Sequence, residues 1–142
     1  MTKTLSILLL FLIASSCNPN KKKTRDTAQN QDATQLVTSI NNGRKTYNDM
    51  CITCHMANGE GVPRAFPPLA DSDYLRDKQI ESIKAVKYGM SGEIKVNGIT
   101  YNNAMASLGL SDKEVADVMN YINNSWGNSI DNFVTAEKVS KL

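Results

Sequence analysis

Five consecutive residues, Cys51-Ile52-Thr53-Cys54-His55, constrain this chain more than any other stretch. Two thiols one helical turn apart, followed at once by an imidazole, form the pattern of covalent c-type haem attachment. Each thiol adds to a vinyl group of the porphyrin to give a thioether, and His55 then lies under the iron as proximal ligand. Three plainer readings compete. A thioredoxin-like redox pair belongs in a βαβ pattern, which is missing around this motif. A closed zinc site needs about four ligands, yet the third cysteine is the distant Cys17 and His55 is the single histidine. A structural disulfide leaves the adjacent His55 without a purpose.

The N-terminus places the chain outside the cytoplasm. Residues 1–16 read as an export signal, with Lys3 as the charged start and an apolar run over 5–14 that is too short to span a membrane. Ser15-Ser16-Cys17 then resembles a bacterial lipobox, in which Cys17 is lipidated and becomes the mature N-terminus. Ordinary signal cleavage is the alternative, and it leaves a free Cys17 in an exported protein. A covalent lipid anchors a protein to a membrane without spanning it. Residues 17–34 are polar and lack apolar periodicity, so they read as a flexible tether. Within them, Lys21-Lys22-Lys23 and Arg25 either attract anionic lipid or merely solubilise.

Residues 35–142 are left for one small domain. Hydrophobic residues are 41% of the chain and aromatic residues 6%. That is a modest core, which a buried haem would enlarge. The net charge of +2 gives no reason to expect nucleic acid. From Gln35 on, 11 Lys and Arg face 12 Asp and Glu, so the domain is close to neutral.

Residues 35–50 predict a helix running into the haem motif, with Leu36, Val37, Ile40, Tyr47 and Met50 on one face. Gly43 marks either a close helix crossing or a break between two shorter helices. After the motif, residues 58–63 are turn formers, and Phe66-Pro67-Pro68-Leu69 is extended. A metal-bound histidine needs an acceptor for its other ring N–H, and the Pro67 carbonyl is the candidate. Asp73 or Asp77 caps a helix to about Lys87, with Ile80, Ile83 and Val86 buried and Gly89 closing it. Asn97-Gly98 between Ile94, Val96, Ile99 and Tyr101 predicts a two-stranded hairpin. Ser111 and Glu114 form a capping box for the last major helix, striped by Val115, Val118, Met119 and Ile122. Phe133, Val134 and Val139 in the tail are expected to pack on the domain.

With a single histidine, methionine is the leading second axial ligand. Met50 and Met56 flank the motif on the proximal side, and Met119 belongs to a helix stripe. Met105, in a loop long enough to cover the distal face, is favoured over Met90 in its tight glycine turn. The rival arrangement is a five-coordinate iron.

The quoted residues resemble the class I monohaem cytochrome c family over about residues 42–128. The carriers are Gly43 and Tyr47 ahead of the haem motif, Gly59-x-Gly61, Phe66-Pro67-Pro68-Leu69-Ala70, Val96-Asn97-Gly98, Tyr101-x-x-x-Met105 and Trp126-Gly127-Asn128. Within that family the chain is similar to bacterial domains fused to copper nitrite reductases and to cytochrome subunits of periplasmic dehydrogenases. The resemblance implies an all-α cytochrome c-like fold with orthogonal helices around one covalent haem c, plus the small hairpin. It implies Gly43, Tyr47 and Tyr121 at the crossing, and His55/Met105 ligation. One departure is Ala106, where the family usually has proline after the axial methionine.

The expected function is therefore electron transfer by a membrane-tethered periplasmic monomer, a carrier and not an enzyme, working with redox partner proteins. Two other readings stand beside it. One is a haem enzyme or ligand sensor with a labile distal ligand. The other is a dedicated cytochrome subunit of one dehydrogenase or reductase complex.

Overall fold

The computed structural model describes residues 20–142, so the export signal and Cys17 lie outside the described residues. Helix α1 spans Asn20–Met50, and α2 is the single turn Ile52–His55. Helices α3 (Asp73–Asp77) and α4 (Gln79–Tyr88) lead to strands β1 (Ile94–Val96) and β2 (Ile99–Tyr101). Helix α5 (Asp112–Asn123) and the short α6 (Ala136–Ser140) complete the fold. None of the described helices is long and apolar enough to cross a membrane. The all-α expectation with one hairpin holds.

Helix α5 is the hub. Its Ser111–Glu114 capping box forms in both directions, and the residues from Val115 to Asn123 are all buried. Helix α1 crosses it at Gly43, where an added Cβ would collide with the Asp117 carbonyl and come within 2.9 Å of Tyr121 Cβ. So Gly43 serves a close crossing, and α1 runs through it without a break. Tyr47, Tyr121 and Trp126 then stack in a triad, with ring centroids 4.8 to 5.5 Å apart. Arrangements of this kind contribute about 0.5–1.5 kcal/mol per pair beyond area burial.

Three polar residues of α5 are buried, and each is satisfied by a distant part of the chain. Asp117 accepts from Ser39 Oγ at 2.6 Å and is paired with Lys113. Asn120 donates to Ser39 Oγ at 2.9 Å and to the Val134 carbonyl at 2.8 Å, and accepts from Val134 N–H at 2.9 Å. Asn123 exchanges two hydrogen bonds with the Gln79 amide. These bonds fasten α1, α4 and the tail to one helix. Unmade, each would leave a buried polar group costing roughly 1–3 kcal/mol.

Several expectations change. Residues 20–34, expected as a flexible tether, are helical. They carry no proline or glycine, and a packed helix C-terminal to them removes the nucleation cost of extending it. Val37 and Met50 are exposed, at 59% and 50%. The helix expected from residue 73 to 87 is two helices, and its cap is Ser72, which accepts from Leu75 N–H at 3.3 Å. On α4 the buried arc is Ser82, Ile83 and Ala85, with Val86 half-buried. Ile80 stands about 140° round the helix from the middle of that arc, and is exposed.

The hairpin pairs Ile94 with Tyr101 and Val96 with Ile99. Asn97 and Gly98 both have positive φ, 48° and 79°, as a two-residue hairpin turn requires. Asp73 is spent on this turn and not on a cap: its carboxylate accepts from Asn97 N–H at 2.7 Å, and Asn97 Oδ1 accepts from Asp73 N–H at 3.0 Å. Asn97→Ala is expected to cost about 1.5 kcal/mol, through lost hydrogen bonds and a strained φ. Denaturant unfolding followed by far-UV ellipticity measures it.

Candidate haem-binding cleft

The motif sits where α1 hands over to α2. Cys51 N–H donates to the Tyr47 carbonyl at 2.9 Å, and His55 N–H donates to the Cys51 carbonyl at 3.0 Å. The helical pitch thus continues through residues 51–55, and Cys51, Cys54 and His55 share one face at steps of three and four. Both thiols are free. Both border the mouth of one cleft, with His55 between them. Burial, with Cys54 nearby, pushes the Cys51 thiol up to about 11.

The loop after α2 folds back under His55. Leu69 and Ala70 N–H both donate to the Gly59 carbonyl, and Val62 bridges Phe66. This carries Pro67 to the ring: His55 Nδ1 stands 3.0 Å from the Pro67 carbonyl oxygen. A carbonyl can only accept, so Nδ1 carries the proton and Nε2 keeps a lone pair free for a metal. Burial lowers the His55 pKa, against the opposing effect of that hydrogen bond. Burial thus favours the neutral imidazole, the form in which a histidine ligates metal. Gly61 makes the geometry possible, because a Cβ there would strike the Phe66 and Pro67 carbonyls. From sequence, Gly61 read as one turn former among several. Its positive φ of 63° and this contact give it a specific task.

Met105 reaches the cleft from the loop between β2 and α5. Three ties hold that loop. Met105 exchanges two backbone hydrogen bonds with Met90, at 2.8 and 2.9 Å. Ser107 Oγ donates to the Lys87 carbonyl at 3.0 Å. Asn103 Nδ2 donates to the Ala65 carbonyl at 2.9 Å, joining the Met105 loop to the His55 loop. These ties pin a loop that lacks proline at Ala106.

Between the two loops lies an apolar slot, walled by Leu69, Leu75, Val86, Val96, Val118 and Ile122 among others. Among the described residues no Asp, Glu, Lys or Arg borders the slot or its mouth. Among the described residues no cluster of three or more His, Cys, Asp or Glu could hold a bare metal ion. The slot instead offers what a haem needs: two thiols and a neutral imidazole on one turn, a thioether on the facing loop and apolar walls between. Met90, Met119 and Met50 also border the cavities, though the sequence drew attention to Met105.

Comparison with known proteins gives a consistent answer. A sequence profile of the cytochrome c family matches residues 40–126. A cytochrome c-552 of Thermus thermophilus is 40% identical over 109 residues, covering 70% of this chain and 82% of that protein. The cytochrome c subunit of a quinone alcohol dehydrogenase from Gluconobacter oxydans is 36% identical over 107 residues, covering 72% of this chain but 22% of that subunit. The cytochrome c subunit of a gluconate 2-dehydrogenase from Pantoea cypripedii is 30% identical over 103 residues, covering 70% of this chain and 23% of that subunit.

Proposed function

This chain belongs to the cytochrome c family, and we propose that it is a lipid-anchored periplasmic electron carrier whose haem is ligated by His55 and Met105. Its cofactor is a single covalent haem c, and it transfers electrons without catalysing a bond change of its own. What supports the axial assignment is that His55 and Met105 both line the slot and its mouth, and that Asn103 ties the Met105 loop to Ala65 in the loop after α2.

When bound, the haem supplies a one-electron ferric/ferrous couple. The chain's residues set the conditions for it. Cys51 and Cys54 supply the thioether sulfurs. Pro67 fixes the His55 tautomer and raises its basicity as a ligand. Met105 would provide a soft sulfur donor to the iron and would exclude small ligands from it. The apolar side chains that wall the slot among the described residues would give the iron a low-polarity setting.

Redox partners are proposed to dock over the cleft mouth. Met50, Phe66, Asn103, Ala104 and Leu108 border it, so contact there is uncharged and mostly apolar. A transient interface of less than about 1,200 Å² is the fitting size. The export signal and lipobox-like Ser15-Ser16-Cys17 support the anchor and the periplasmic site. A second reading, a head devoted to one dehydrogenase complex, is favoured by the similarity to dehydrogenase cytochrome subunits. Co-purification from membranes distinguishes the two.

The ligation is tested on ferrous holoprotein labelled at the methionine methyl groups. One methyl resonance is expected far upfield, shifted by the haem ring. It should vanish in Met105→Ala and persist in Met90→Ala. A high-spin ferric spectrum in the unaltered protein defeats the assignment.

A further inference from the structure

Of the four methionines that border this cleft, only Met90 and Met105 line both the slot and its mouth, and the reading above uses one of them. Met90 follows Gly89 at the end of α4 and forms an isolated antiparallel bridge with Met105. Each of the two donates its backbone N–H to the other's carbonyl. Residues that exchange both bonds sit directly opposite, with Cα atoms about 5.5 Å apart and side chains on the same face of the ribbon. Here that face is the cleft: both side chains border the apolar slot and its mouth, as does His55. Both are half-buried, and neither belongs to the hydrophobic core or to the residues packed on it. Core filling therefore does not account for Met90.

The shared backbone is stiff. Gly89 has a φ of 77°, and a Cβ there would come within 2.6 Å of the Met105 carbonyl and 2.7 Å of Ser107 N. The side chains above it are not stiff. Methionine is unbranched, with three rotatable bonds, so its sulfur sweeps a wide arc from a fixed Cα. Two sulfurs anchored this closely reach one another's positions by rotamer change alone.

We propose that Met90 is a reserve axial donor to the haem iron, taking the distal position whenever the Met105 sulfur leaves it. The proposal rests on the His55/Met105 reading. Its effect is protective: withdrawal of Met105 does not leave the iron open to small ligands.

The experiment compares holoprotein of the unaltered chain with Met90→Leu, Met105→Ala and the double variant. In labelled ferrous protein, Met105→Ala should show a new ring-shifted methyl resonance that is missing from the double variant. Carbon monoxide should bind ferrous Met105→Ala about tenfold more slowly than the double variant, because only the fraction with Met90 displaced is competent. Met90→Leu should keep the Met105 resonance. If Met105→Ala and the double variant agree in both measurements, the reserve role is overturned, while the ligation stands on the unaltered protein's own resonance. If the unaltered protein shows no shifted methyl, ligation and proposal fall together. A shifted resonance lost in Met90→Leu but kept in Met105→Ala inverts the two roles and overturns both. Should Met105→Ala fail to retain haem, Met105→Leu, which keeps the bulk, takes its place in the same comparison.

Discussion

Gly43→Ala should lower the unfolding free energy by about 3 kcal/mol, although it adds only one methyl group. Alanine normally improves a helix interior by up to about 1 kcal/mol over glycine, so the sign is a sharp test. The reversal comes from the crossing. The new Cβ would meet the Asp117 carbonyl and Tyr121 Cβ, which are backbone and near-backbone atoms that cannot swing aside. The helices must separate, and that pulls Ser39 from Asp117 and Asn120. For a domain of this size the melting midpoint should fall by roughly 10–20 °C. The neighbouring exposed Asn42, changed to alanine, should alter stability by less than about 0.5 kcal/mol. Thermal unfolding of the two holoproteins decides it. Equal midpoints would show that α1 and α5 are not in close contact at residue 43.

The largest effect is expected from Cys51→Ala with Cys54→Ala. The double variant should carry no covalent haem, so that its mass under denaturing conditions is that of the polypeptide alone. It should also lose cooperative unfolding. The slot is bounded by Val118, Met119 and Ile122, the inward face of the central helix, together with Leu75 and Val86. Those side chains belong to the hydrophobic core or pack on it, and a bound haem would extend that core. With nothing retained there, binding free energy is no longer available as folding free energy. Either single variant keeps one thioether sulfur and should hold haem at reduced yield. A double variant that melts as sharply as the holoprotein would show that the polypeptide core alone sustains the fold.

The haem motif was legible because its chemistry demands fixed residue types at fixed spacing. The Asn97-Gly98 turn and the Ser111–Glu114 cap were legible because each is satisfied within a few residues of itself. The Pro67 carbonyl could be singled out because a ligating histidine requires an acceptor and the chain returns there in extended form. What escaped depends on remote partners. Asp117, Asn120 and Asn123 carry no sign of burial in their own types or spacing, yet Ser39, Val134 and Gln79 satisfy them inside the fold. Met90 looked like part of a glycine turn because its pairing partner lies fifteen positions onward. Ile80 and Val37 have the right spacing for a buried stripe, but a three- or four-residue step fits a wider arc than the neighbours cover. The extension of α1 back to Asn20 was hidden for the opposite reason, since its residues carry no apolar pattern and only continuity with a packed helix favours it.

The ties between Ser39 and Asn120 also bear on how the chain reaches this state. They join residues 81 positions apart, and closing a loop of that length costs about 4 kcal/mol of chain entropy before any contact is gained. The haem motif lies near the start of that loop, and most of the slot's wall lies along it. Attachment at Cys51 and Cys54 places a large apolar body early in the loop, against which α4, the hairpin and α5 can condense in turn. Attachment is expected to precede the helix crossing, so folding should be faster with haem attached than without it.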